Sequence, residues 1–278
     1  MLTLILALAC GDKPDPADDS TPTGTDDSEA PIDDTAPETN PCEPKDIAVG
    51  ETGLYGTVTS SDDGSPVACM RAQFCHSACA VGQNNGDGQY SIGTNEDGMG
   101  ALEFFPLSDD YADYYVTAIP YITDAGGDYG IDVQLQKGSG WQDMPATATQ
   151  VEMGDGLSLT IGQDVVELPF GTDADALGAV SMPQAAWPPL MGLDHGGTVV
   201  AIYQLSPFDA HSAEGLDFWI SGSPIEETKT YSVYEFEVDT TEFIYGWHNT
   251  GTSVAEGGVG GTLHYLSMLV VVEEPAAD

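Results

Sequence analysis

Residues 263–272 read Leu263-His264-Tyr265-Leu266-Ser267-Met268-Leu269-Val270-Val271-Val272. The run is almost continuously apolar and ends in three valines. A strand covered on both faces carries apolar residues at odd and even positions alike. One long strand at the centre of a sheet is therefore expected here. Upstream, the pattern changes to strict alternation. Leu157, Leu159 and Ile161 alternate with Ser158 and Thr160; Leu216, Phe218 and Ile220 with Asp217 and Trp219; Tyr234, Phe236 and Val238 with Glu235 and Glu237. Thr198–Leu205 is a second buried-type run, and Phe243, Tyr245 and Trp247 are expected on one face. Period-2 patterning with no sustained 3.6-residue period predicts an all-β chain.

The region before residue 140 carries the same signals. Leu54 and Val58 share a face, Asp62-Asp63-Gly64 and Asp87-Gly88 mark turns, and Ile131, Val133 and Leu135 alternate with Asp132 and Gln134. Many short strands punctuated by Gly and Asp imply β-sandwiches. About 230 residues of foldable chain suit two such domains.

Two family resemblances give those domains boundaries. Gly56-Thr57-Val58, Gly64-Ser65-Pro66-Val67, Asp87-Gly88-Gln89-Tyr90 and Tyr115-Val116-Thr117-Ala118 resemble the motifs of the carboxypeptidase regulatory-like domain. That resemblance implies a prealbumin-type sandwich over 49–140, a structural accessory without catalytic residues. The segment Cys75–Asn85 is an insertion in that pattern, expected to be a disulfide-pinned loop. Gly156-Leu157-Ser158-Leu159, Leu168-Pro169-Phe170-Gly171-Thr172, Ser206-Pro207-Phe208, Glu214-Gly215-Leu216-Asp217-Phe218 and His264-Tyr265-Leu266-Ser267 are similar to a ZU-five-like module. That implies a scaffold or contact sandwich over 145–278.

The chain opens with Leu2–Ala9, apolar and uncharged, directly before Cys10. Eight residues fall far short of the ~20 that span a bilayer, but they fit the apolar core of an export signal. Ala9-Cys10 resembles the lipobox of bacterial lipoproteins. The resemblance implies removal of residues 1–9 and acylation of Cys10, with Gly11 pointing to the outer membrane or cell surface. Several acyl chains, at roughly 0.8 kcal/mol per buried methylene, hold a protein to lipid firmly. From Gly11 to Pro44 the chain is almost wholly Asp, Glu, Ser, Thr, Pro, Gly and Ala. It buries too little apolar area to fold, and like charges extend it, so residues 10–48 are expected to be a disordered acidic linker.

Against 46 Asp and Glu stand 5 Lys and Arg, a net charge of −41. A surface of that sign excludes nucleic acid and anionic lipid as partners and favours a soluble monomer. With Cys10 acylated, Cys42, Cys69, Cys75 and Cys79 remain. An even number in an exported chain reads as two disulfides, with three pairings open. Cys75-His76-x-x-Cys79 offers soft ligands as the rival reading, without the paired short spacings of zinc sites.

Chemistry is sparse. No G-x-S-x-G, H-E-x-x-H or phosphate-loop motif occurs, and no catalytic residue, metal site or cofactor is assigned. His211-Ser212-Ala213-Glu214 has the H-x-x-E spacing of zinc carboxypeptidases, with His248 and His264 as candidate third ligands; this metallopeptidase reading ranks last. The acidic loop residues Asp109, Asp110, Asp113, Asp173 and Asp175 could hold Ca²⁺ at sheet ends, against the plainer reading of solvated turns. Trp141 and Trp187 are candidate platforms for stacking on a glycan, although packing is the commoner fate of tryptophan. The expected function is a non-enzymatic envelope lipoprotein acting as a structural or adhesion module that contacts a surface glycan or envelope protein. A carbohydrate-binding lipoprotein is the alternative.

Overall fold

In a computed structural model, residues 52–276 are described except 85, 108–112, 139–140, 169–176, 240–241, 252 and 256. The expected export signal, Cys10, the expected acidic linker, Cys42, Asp109, Asp110, Asp173, Asp175 and the Pro169–Thr172 motif lie outside those residues. The described chain is built of strands and a single 3-10 turn at Gln184–Ala186. No helix among the described residues is long and apolar enough to cross a membrane.

The first half contributes β1 (Thr52–Ser60), β2 (Met70–Cys75), β3 (Cys79–Gln83), β4 (Gln89–Thr94), β5 (Gly98–Pro106), β6 (Thr117–Thr123), β7 (Asp128–Gly130) and β8 (Val133–Leu135). The second contributes β9 (Thr149–Gly154), β10 (Leu157–Ile161), β11 (Gly178–Ser181), β12 (Thr198–Ser206), β13 (Ala210–Ser221), β14 (Tyr231–Asp239), β15 (Ile244–Asn249), β16 (Ser253–Ala255), β17 (Gly258–Leu266) and β18 (Met268–Glu273). They form four sheets. The first has the order β4-β1-β7, with β8 also on β1, and the second β3-β2-β5-β6. The third is β11-β12-β18-β14-β15 and the fourth β16-β17-β13-β10-β9.

Three apolar cores separate the four sheets. Leu54, Val58, Tyr90 and Ile92 of the first sheet face Phe74, Leu102, Phe104 and Ile119 of the second. Tyr90 and Phe104 meet edge-on at 5.1 Å. The other face of the second sheet, through Ala101, Ala118 and Phe105, packs on Ile202, Phe208, Phe236 and Val270 of the second half. The third sheet's remaining face, with Tyr203, Val233, Leu269 and Val271, closes on Leu159, Phe218, Leu263 and Leu266 of the fourth. β18 lies between apolar layers on both sides: Met268, Val270 and Val272 point one way, Leu269 and Val271 the other. That two-sided burial is why its sequence does not alternate.

The expected long central strand is in fact two. The chain bends at Ser267; β17 before it joins the fourth sheet, and β18 after it runs through the centre of the third. The Ser267 hydroxyl donates to the Phe236 carbonyl, and the Ser267 carbonyl accepts the Leu205 N–H at 2.8 Å. Phe243 does not share a face with Tyr245 and Trp247. It sits in the turn before β15 with φ +56° and is 42% exposed. The described residues of the Cys75–Asn85 insertion belong to a β2–β3 hairpin rather than an open loop, and a Cys75–Cys79 disulfide closes its tip. Cys69 is disulfide-bonded as well.

Gly56 and Gly88 have plain structural reasons. A Cβ on Gly56 would sit 1.9 Å from the Ile131 carbonyl oxygen, which also accepts the Tyr90 hydroxyl at 2.8 Å. Gly88 turns the chain with φ +75°, a conformation that costs glycine little.

Candidate functional site

Two concave sites stand out. The first is a groove of about 340 Å³ between the halves. β1 lines it with Thr57 and Thr59, the entry to β8 with Asp132 and Gln134, and the segment after the 3-10 turn with Trp187 and Pro188. The Trp187 indole N–H donates to the Met182 carbonyl at 2.9 Å, which fixes the ring. Asp132 accepts the Thr57 N–H at 2.9 Å and its hydroxyl at 2.7 Å, so this corner is also preset. One anchored indole with hydroxyl, amide and carboxylate groups around it is suited to a neutral polyhydroxy ligand. Trp141 is elsewhere. It packs on Tyr115, ring centroids 4.5 Å apart, and is not among the groove residues.

The second is a cleft of about 620 Å³ at one end of the second sandwich. β14 alternates, so Glu235, Glu237 and Asp239 share a face, and the register sets His248 of β15 opposite Glu235. Glu235 is almost fully enclosed, with 3% of its side chain exposed, and Glu237 has 10%. One Glu235 oxygen accepts the backbone N–H groups of His264 at 2.6 Å and Tyr265 at 3.2 Å on the facing β17. The other lies 3.4 Å from the His264 Nδ1. Burial pushes the Glu235 carboxyl up, against those N–H donors and His264, which pull it down. Glu237 contacts the His248 imidazole. Tyr265 is bonded to Glu237 through its hydroxyl, and its own ionisation is pushed up first by burial and then by that bond. His211 stacks on the Tyr265 ring at 5.9 Å.

His211, His248 and His264 thus meet in one cleft, which their spacing in the chain does not announce. Glu214 does not join them. It lines a separate recess of about 380 Å³ with Asp164 and Glu167. Among the described residues, no three His, Cys, Asp or Glu side chains are placed to hold a metal ion. Cys75 and Cys79 are spent on their disulfide, so Cys75-His76-x-x-Cys79 is not a metal loop. Asp113 lies in an exposed turn, its carbonyl accepting the Gly138 N–H.

A third polar group is buried between the halves. Glu103 of β5 is fully enclosed and accepts the Gln73 amide, while its second oxygen has no hydrogen-bond partner among the described residues. Burial raises its carboxyl to about 8, with Asp209 adding to the shift and Gln73 and Arg71 opposing it. The Arg71 guanidinium lies 4.5 Å over the Phe105 ring, and Phe105 meets Phe208 edge-on at 5.7 Å. Glu235 and Glu237 are unmarked in the sequence, charged residues at ordinary alternating strand positions, whereas Glu103 is the one charge within the apolar run Ala101-Leu102-Glu103-Phe104-Phe105.

No family model and no curated protein matches the chain. Among solved structures, it is similar to a Bacteroides uniformis ATCC 8492 protein whose description proposes carbohydrate binding. The two share 9% identity over 80% of this chain and 99% of that one, with a TM-score of 0.26. A Bacteroides fragilis NCTC 9343 protein, described as of unknown function and proposed to be membrane-associated, shares 8% identity over 80% of this chain and 97% of that one, with a TM-score of 0.20. Similarity at that level carries no functional argument.

Proposed function

We propose that the chain is a non-enzymatic envelope module, tethered through Cys10 and the acidic linker, that binds a neutral glycan in the groove at Trp187. The observation that carries this reading is the anchored indole beside Thr57, Thr59, Asp132 and Gln134. Sugars stack their apolar faces on aromatic rings and spend their hydroxyls on short polar side chains of this kind. On this reading 49–140 is a carboxypeptidase regulatory-like module and 145–278 a ZU-five-like one, neither with catalytic residues. The net charge of −41 supports a neutral ligand over an anionic one.

The test is calorimetric titration of the full chain with maltohexaose, cellohexaose and chitohexaose. Saturable one-to-one binding of at least one is expected. Gln134→Ala and Trp187→Phe should each weaken it about tenfold or less without lowering the melting temperature of the Gln134 variant. No saturable heat with any of the three overturns the glycan reading. The tether is tested separately, by protease shaving of intact cells and mass spectrometry of the membrane for an acylated Cys10 peptide.

The buried seam between the halves favours a second reading, a stiff structural or adhesion block. Gln204, fully buried, donates to the Val116 carbonyl across that seam at 2.9 Å. If no glycan binds while shaving releases the head from cells, this reading takes precedence.

A further inference from the structure

We propose that the histidine–carboxylate cleft at the end of the second sandwich is a binding site for an organic cation, an ammonium or guanidinium group of the lysine or arginine type. The cleft walls carry Glu235, Glu237, Asp239 and Glu242, and no Lys or Arg lines them. The described basic residues are engaged elsewhere: Arg71 over Phe105, Lys137 over Tyr114, and Lys229 with Glu226 and Glu273. Among the described residues, therefore, none supplies a permanent positive charge to these two carboxylates, which are nearly removed from water. His248 and His264 supply charge only when protonated. Among the described residues these histidines are the carboxylates' only charged partners, and a buried carboxylate beside a neutral imidazole is costly; a cation seated between Glu235 and Glu237 offsets that cost.

An independent observation points to a ligand. Ser212 is 98% buried and lines this cleft, yet its hydroxyl has no hydrogen-bond partner among the described residues. A buried hydroxyl left unsatisfied calls for a partner, and the N–H of a bound cation supplies one. The space, about 620 Å³, is in the range of small-molecule sites, which run to about 300–1,000 Å³. The acceptors are spread around the walls instead of converging on a point, and no three are placed for a metal. That spacing matches the several divergent donors of an ammonium or guanidinium better than a single ion. The stacked His211 and Tyr265 rings also line the cleft, and an aromatic face is a surface on which a guanidinium plane rests.

The test uses agmatine and putrescine as probes on the full chain, by calorimetry at neutral pH in about 0.15 M salt, where diffuse surface attraction is screened beyond ~8 Å. Saturable one-to-one binding is expected for at least one probe, with none for the uncharged analogue N-butylurea. Glu237→Gln should weaken binding about tenfold or more, and Ser212→Ala several-fold. The exposed pair Asp62→Asn/Asp63→Asn should leave it unchanged. Should the Glu237 variant fail to fold, Glu242→Gln on the exposed rim is expected to weaken binding several-fold. The proposal is overturned by any of four results: no saturable binding, equal binding of N-butylurea, equal loss in the Asp62/Asp63 control, or displacement of the probe by one equivalent of Zn²⁺.

Discussion

Leu266 and Met268 are separated by the single residue Ser267, yet they belong to opposing sheets. Leu266 ends β17 opposite Ala210, and Met268 begins β18 between Gln204 and Phe236. Ser267 carries the crossing. Its hydroxyl donates to the Phe236 carbonyl, and its carbonyl accepts from Leu205 N–H and, at 3.2 Å, from the Gln204 amide. All of this is buried, so no water replaces a lost bond.

Ser267→Ala should therefore destabilise the fold by about 0.5–1.5 kcal/mol, the net worth of one buried hydrogen bond. Urea unfolding measures it. A loss under about 0.5 kcal/mol would mean that apolar packing on either side holds the crossing by itself.

Glu103 should make stability fall with rising pH. Its carboxyl stands at about 8 in the folded chain, against 4.5 ordinarily. Below about 4.5 both states hold the proton and the contribution is full. Between there and about 8 the unfolded chain has released its proton and the folded chain has not, so stability drops by about 1.4 kcal/mol per pH unit. Glu103→Gln removes that slope, and the variant should gain a few kcal/mol on the wild type between about pH 5 and pH 8. Parallel pH–stability curves would sink the assignment.

Gly56→Ala should be severe. The added methyl would meet the Ile131 carbonyl oxygen at 1.9 Å, a backbone atom already engaged by Tyr90. Neither partner can move without opening the β1 pairing. A loss of about 3 kcal/mol or more is expected in thermal melts; a variant as stable as wild type would show that the strand shifts freely.

The Cys75–Cys79 bridge should matter modestly. It joins residues four apart, at the end of a hairpin that already aligns them with Cα atoms 4.1 Å apart. Loop-closure entropy for so short a loop is about 2 kcal/mol. Cys75→Ala/Cys79→Ala should lose about that much by denaturant titration, and failure to fold at all would assign the bridge a larger role than its loop length permits.

Much of the fold was legible as periodicity. Alternation at Leu157–Ile161 and Leu216–Ile220 marks strands because side chains in a strand point to opposite faces, whatever surrounds them. Gly56 and Asp87-Gly88 are legible for a related reason: a close backbone approach and a positive φ are local demands that few residues meet. Trp187 was legible as a residue but its groove was not, since Thr57 and Asp132 come to it from a different sandwich.

What only the tertiary structure decided is what covers each face. Tyr234-Glu235-Phe236-Glu237-Val238 states that the two glutamates share a side. It does not state that a fourth sheet closes over that side and converts a solvent face into a cleft, with Glu235 reaching backbone donors on β17. Leu263–Val272 likewise states that ten residues prefer burial. Whether they bury as one strand or two depends on Ser267 meeting Phe236 and Leu205, partners far away in the chain. Strand period is set by backbone geometry and is written locally; burial, carboxyl ionisation and the turn at Ser267 are set by neighbours that only folding brings together.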